Sequence, residues 1–352
     1  MSTTPAFVLG GTGYVAGELL RLIAGHPQLK LAAIMSDSQP GEPVVRAFPH
    51  LQSAYPQLTF ASHDEVAGAI GREKTSALFS AAPHGVSAGL VDGLLKRAQQ
   101  AGTRVHAVDL SADFRHASAA TFEKIYKHEH GAPDRLKEFT CAVPEHLKTL
   151  RTPHVAHPGC FATSVLLASV PLLALGLVEP QLFVTGITGS TGSGRKPTEG
   201  THHPVRHSDL YTYNALTHRH TPEIAACAQA ASGVAAEFAF VPHSGPFARG
   251  IHTTVQARLR KECDGAVIRA ALEAYYENCP FVQIKSEAPR IKDVAASNYA
   301  HIGAAASGRS VAVMCVIDNL NKGAAGGAVQ WMNRLLGYEE TLGLTAPAAG
   351  WT

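Results

Sequence analysis

The chain is short of charge and has no marked excess of either sign. Charged residues make up 16% of its 352 positions, with Lys plus Arg 30 against Asp plus Glu 28 and a net charge of +2. A surface built to hold nucleic acid carries a basic excess, so that partner class is excluded. A membrane span is lacking as well. The most apolar stretch, residues 165–178, is broken by Pro171 and stops short of the ~20 apolar residues a bilayer requires. No basic leader, cleavage site or transit pattern precedes Ala6-Phe7-Val8-Leu9, so a cytoplasmic location is expected. Cysteines at 141, 160, 227, 263, 279 and 315 include no Cys-x-x-Cys pair. They are expected as reduced core residues, with at most one chemically special. What the chain does have is 45% apolar residues, enough for real cores, and a length that suggests two domains.

The apolar pattern changes character along the chain. Up to residue 110, short apolar strands (6–10, 29–35, 77–82, 105–110) alternate with helical periods (14–24, 86–101). This order predicts a doubly wound parallel sheet with both faces covered. After an apolar helix over 164–177 the segments 182–188, 237–242, 251–259, 281–284 and 311–317 read as strands. Several alternate apolar with polar, as in His252-Thr-Thr-Val-Gln-Ala-Arg-Leu259, which predicts a mainly antiparallel sheet with one face covered. Helices are expected over 266–277 and 323–336.

Five motifs carry chemistry. Gly10-Gly11-Thr12-Gly13-Tyr14-Val15-Ala16-Gly17 sits where the first strand meets the first helix. Glycines there let the backbone approach a pyrophosphate, which helix N-terminal amides then hold. After the second strand, Asp37 suits a ribose diol, whereas the hydroxyls of Ser36 and Ser38 suit a 2′-phosphate. Second, His157-Pro-Gly-Cys160 precedes the apolar helix. A cysteine at a helix start gains thiolate stabilisation, and that makes Cys160 the candidate nucleophile. Third, His218-Arg219-His220-Thr-Pro-Glu223 offers two histidines as acid–base partner. Fourth, Arg115, Arg195 and Arg249 stand in polar turns and suit an anionic substrate. Fifth, Asp318-Asn319-Leu-Asn-Lys322-Gly joins a strand to the last helix. A metal site from His202, His203, His207, His218 and His220 fits no common zinc spacing, and no metal is expected.

In this combination the residues resemble the N-acetyl-γ-glutamyl-phosphate reductases of arginine biosynthesis, relatives of the aspartate-semialdehyde dehydrogenases. The resemblance runs from the Gly10 loop to the Asp318 segment. The phosphate loop departs from the family in having Ala16 for its usual third glycine. The resemblance implies an α/β Rossmann domain (1–158 with 323–352) and an α+β catalytic and oligomerisation domain (159–322). It also implies NADP(H), a small acyl-phosphate substrate and a homo-oligomer, tetramer or dimer. By motif, Cys160 matches the nucleophile and His218 or His220 the proton-transfer residue. Arg115 and Arg249 match anion-binding positions. Gly10, Thr12, Gly13, Ser36 and Asn319 match cofactor contacts, and Pro83-His84-Gly85 matches a loop passing near the cofactor. The implied reaction is reduction of N-acetyl-γ-glutamyl phosphate to the semialdehyde through a Cys160 thioester. The residues leave open the same chemistry on an aspartyl or aminoadipyl phosphate, or a non-catalytic NADPH sensor.

Overall fold

The computed structural model describes residues 3–350. Its elements begin β1 (Thr4–Leu9), α1 (Tyr14–Ala24), β2 (Leu29–Ile34), α2 (Val44–Ala47), α3 (His63–Ile70), β3 (Thr75–Ser80), α4 (Ser87–Gln100), β4 (Arg104–Asp109), α5 (Ala119–Tyr126), β5 (Phe139–Cys141) and β6 (His154–Ala156). They continue with α6 (Cys160–Ala174), β7 (Val178–Thr188), α7 (His203–Arg206), β8 (Tyr211–Thr212), α8 (Thr221–Ser232), β9 (Glu237–Ser244) and β10 (Ile251–Leu259). Last come α9 (Gly265–Tyr275), β11 (Val282–Lys285), β12 (Ala300–Ser307), β13 (Ser310–Ile317) and α10 (Gly326–Leu336).

Two compact units result, the first Met1–Cys141, Thr149–His157 and Ala325–Thr345, the second Ala142–Lys148, Pro158–Ala324 and Ala346–Thr352. Two short segments, 142–148 and 346–350, thus pack with the second unit rather than with the Rossmann segments beside them in sequence. Glu145 and His146 bond Lys322 and Tyr276, and the amide of Ala349 donates to Ala295.

In the first unit six parallel strands run in the order β2-β1-β3-β4-β6-β5. Alternation along β1 sends Phe7 and Leu9 into a cluster with Val66 and Ile70 of α3 and Val91, Leu94 and Leu95 of α4. Fully burying such a side chain stabilises by ~1.5–3 kcal/mol. Helices α1 and α10 contact each other and the strands β1, β2 and β4. His26 and Asn333 bond across this layer at 3.0 Å. The strand order reverses between β1 and β3, and open α/β sheets bind ligands at such switch points.

The second unit is a seven-stranded sheet, β11-β12-β13-β10-β7-β9-β8. Its pairs are antiparallel except β11–β12 and β7–β9. Helix α6 lies on β7, β10 and β13, α8 on β9, and α9 on β11 and β12. From Phe161 to Leu173 every residue of α6 is buried, as expected of a helix apolar all round. Its buried Ser164 is satisfied by Thr253, 2.7 Å away. The alternate residues of β7 and β10, Phe183 and Gln256 among them, are exposed on the other face.

The structure departs from the sequence expectation in several places: α2, α3, α5, α7, β5, β6 and β8 have no counterpart in the sequence pattern, and α6 spans Cys160–Ala174 rather than 164–177. Strand β12, Ala300-His-Ile-Gly-Ala-Ala-Ala-Ser307, was not anticipated, because small residues carry little alternation. The last helix begins at Gly326, not 323, and a π-helical turn over Asn321–Ala325 precedes it.

Candidate active site

The phosphate loop follows β1. A Cβ on Gly10 would lie 2.4 Å from the Ala81 carbonyl oxygen, and one on Gly11 would lie 2.6 Å from that of Met35. Gly10 also has φ +78°, a conformation that side chains disfavour. The loop therefore passes directly over the ends of β2 and β3, at the switch point. Gly13 caps α1 without a side-chain acceptor, and no acidic residue stands in the first turn. The first amides of a helix have no partner within it. These residues fit a dinucleotide pyrophosphate. Beyond β2, Ser36 is buried, Asp37 and Ser38 are exposed, and the two serine hydroxyls are 3.4 Å apart.

The Pro83-His84-Gly85 loop after β3 is held from beneath. Asp113 accepts the amides of Gly85 (2.8 Å) and Ala88 (2.9 Å), and His84 Nδ1 accepts that of Ala112 (2.8 Å). His84 therefore carries its proton on Nε2 when neutral. Asp109, fully buried, accepts from Ser87 and Ser111, and burial raises its pKa. Arg115 is tied in part to the main chain. It is 8% exposed, and its Nε and Nη2 donate to the carbonyls of His157 (2.9 Å) and Leu110 (2.8 Å). It ties the main chain together rather than presenting those donors to an anion.

Cys160 is the first residue of α6 and is half-buried. The preceding amide, of Gly159, donates to Glu223 Oε1 at 2.6 Å. Glu223 is wholly buried in the first turn of α8, so α8 holds the turn that presents the thiol. On its other side Gly323 packs so closely that a Cβ there would lie 2.8 Å from the Cβ of Cys160. That approach is made within the π-helical turn. Its Lys322 is buried with Glu145 at 2.5 Å. Buried pairs of this kind are costly to break. Cys315, by contrast, is fully buried and its thiol is pushed up to about 12 by burial, which makes it inert at neutral pH.

The two histidines sit together, their rings 4.7 Å apart. His218 packs edge-on against Phe161, Tyr213 and Phe240. Burial, with Arg219 beside it, lowers its pKa to about 4, and its Nδ1 accepts the amide of His220 at 3.2 Å. Burial, then the nearby Cys160, raises the pKa of the Tyr213 hydroxyl. The cysteine, the tyrosine and His218 therefore share one neighbourhood.

The remaining arginines divide. Arg249 grips buried Asp318 through Nε (2.6 Å) and Nη2 (3.1 Å), and Asp318 also accepts the amides of Ala296, Leu320 and Asn321. Two donors of Arg249 are thus taken by a carboxylate of the protein itself. Asn319 accepts the Gly250 amide (2.7 Å) and donates to Thr191 (3.0 Å). Its amide clamps two turns of the second unit. Arg195 is exposed beyond the Ser190–Ser193 turn. Arg206, which sequence reasoning missed, is buried at the end of α7. Its signal was hidden among the histidines around it. Among the described residues no three His, Cys, Asp or Glu side chains converge on a metal position, and no helix is long and apolar enough to cross a membrane.

Comparison with known proteins agrees with this arrangement. The family "Semialdehyde dehydrogenase, NAD binding domain" matches residues 6–150, and "Semialdehyde dehydrogenase, dimerisation domain" matches 160–319. Among solved structures, aspartate semialdehyde dehydrogenase II of Vibrio cholerae superposes with TM-score 0.68 at 14% identity, over 96% of this chain and 98% of that one. A probable aspartate-semialdehyde dehydrogenase from Pseudomonas aeruginosa gives 0.67 at 19%, over 95% and 99%. The N-acetyl-γ-glutamyl-phosphate reductase of Methanopyrus kandleri is 39% identical over 97% of both chains. That of Ectopseudomonas mendocina is 39% identical over 97% of this chain and 98% of its own. A nucleotide fold, a helix-start cysteine and matches of this extent place the chain in the semialdehyde dehydrogenase family, among the N-acetyl-γ-glutamyl-phosphate reductases.

Proposed function

We propose that the protein reduces N-acetyl-γ-glutamyl phosphate to N-acetylglutamate semialdehyde with NADPH, releasing phosphate. The observation that carries this reading is Cys160 at the start of α6, its turn held by Glu223. The Cys160 thiolate attacks the acyl carbon, the carbon–oxygen bond to phosphate breaks, and phosphate leaves with the electron pair, forming a thioester. Amides at the helix start stabilise the oxyanion, an effect worth ~3 kcal/mol per donor. A nicotinamide, when bound, would supply hydride to the acyl carbon; the resulting thiohemiacetal on Cys160 then breaks its carbon–sulfur bond, releasing the aldehyde and the thiolate. The Gly10–Val15 loop would hold the cofactor pyrophosphate, and the Ser36 and Ser38 hydroxyls would donate to a 2′-phosphate, which supports NADP over NAD. His220 handles the proton, because burial holds the His218 pKa near 4 and the His218 Nδ1 accepts the His220 amide. His218 positions that turn.

The substrate is a small acyl phosphate, and the location is cytoplasmic, where a catalytic thiol stays reduced. A homo-oligomer forms across the exposed face of the second sheet. The matched dimerisation family and the exposed Phe183 of β7 support this.

The reaction is tested in reverse, with NADP, phosphate and N-acetylglutamate semialdehyde, following NADPH absorbance. Phosphate-dependent NADPH formation is expected. A signal only with aspartate semialdehyde would move the substrate and keep the chemistry. Silence with every aldehyde would overturn the assignment.

A further inference from the structure

Arg206 is 8% exposed. Its Nη1 donates to Ser244 Oγ at 2.8 Å, and its guanidinium lies 5.8 Å from the centroid of the Tyr211 ring. Among the described residues, Nε and Nη2 are buried with no hydrogen-bond partner. Burying guanidinium donors unpaired is costly, and natural proteins do so where a ligand completes the site. The two unpaired nitrogens share one edge of the planar group. That edge is the one with which Arg249 grips the Asp318 carboxylate. It matches a planar carboxylate by two parallel hydrogen bonds.

The location suits substrate. Along β9 the side chains of Phe238, Phe240, Pro242 and Ser244 are buried on one face. Phe240 on that face meets edge-on both Phe161, the residue after Cys160, and His218, with ring centroids 5.1 and 5.3 Å apart. Tyr213, two residues from Tyr211, packs edge-on against His218 with ring centroids 5.7 Å apart. Arg206 thus lies on the same side of the sheet as the nucleophile. The arginines the sequence singled out are engaged elsewhere or exposed.

We propose that Arg206 is the specificity residue that binds the carboxylate of the substrate, a role that rests on the reaction proposed above. The test is the reverse reaction with two aldehydes, N-acetylglutamate semialdehyde and 4-acetamidobutanal, which is the same chain without its carboxylate. The unmodified enzyme is expected to favour the first by ~100-fold in kcat/KM, the scale of a buried charge-assisted pair. Arg206→Met should erase that preference by losing activity on the carboxylate-bearing aldehyde alone, with the KM for phosphate unmoved and NADP binding retained. Arg206→Lys keeps the charge without the fork and should reduce the preference. It supplies the test if the Met variant fails to fold. A preference that survives in both variants, equal losses on both aldehydes, or a raised KM for phosphate instead would overturn the role of Arg206 alone. An unmodified enzyme inactive on both aldehydes would overturn the reaction as well.

Discussion

Cys160 owes its chemical distinction to position. Its thiol stands at the α6 N-terminus, where the helix dipole favours negative charge, whereas Cys315, a residue of the same type, is driven to about 12 by burial. Cys160→Ser keeps the geometry and removes the nucleophile. We expect reductase activity to fall to background while NADP binding, read by fluorescence titration, is unchanged. Turnover by the serine variant above a trace would refute the covalent route. The arginines teach a second lesson at this scale. Residue type and a polar turn mark Arg115, Arg195 and Arg249 as candidates, but they do not show the partner. Arg115 holds two carbonyls and Arg249 a buried Asp318, while Arg206 has two buried donors unmet by protein.

Among the elements, β7 and β10 carry a clean alternation because only one face of their sheet is covered by helices. The other face leaves Phe183 52% exposed at the middle of the sheet, where a lone monomer gains nothing from it. Phe183→Asp should convert the oligomer to a lower-mass species in sedimentation velocity. An unchanged mass would remove this face as the interface. Alternation and helical periods were readable in α1, β1 and β10, where large apolar residues recur. They failed at β12, whose alanines and glycine bear no contrast. They failed again at residues 321–325, where a π turn brings Gly323 against Cys160 and Lys322 against Glu145. Nothing local in Asn-Lys-Gly-Ala-Ala distinguishes a π turn from an α turn. The distinction comes from the groups it must meet.

For the molecule as a whole, three buried histidines set a pH limit. His146, His154 and His218 have their pKa values lowered to about 4, in each case chiefly by burial. The unfolded chain protonates these side chains near the ordinary histidine value of ~6.5, and the folded chain refuses the proton until about pH 4. Their contribution is therefore complete above pH 6.5 and is lost as the pH falls toward 4, by ~1.4 kcal/mol per histidine for each pH unit. Urea midpoints should drop between pH 7 and pH 5, and His154→Gln should make that drop shallower. A midpoint constant over this range would contradict the buried, neutral assignment.

Periodicity and glycine placement were enough to foresee a parallel nucleotide-binding half and a mainly antiparallel half, because burial on one face or two writes itself into local sequence. The helix-start cysteine was legible for the same reason, since Pro158, Gly159 and an apolar run are neighbours in the chain. The partners of the charged side chains were not. Arg249 meets Asp318, Glu145 meets Lys322 and Glu223 meets Gly159 across separations that no local pattern encodes. A charged group is committed by whichever counter-group folding brings within hydrogen-bonding distance, and that choice is made in three dimensions.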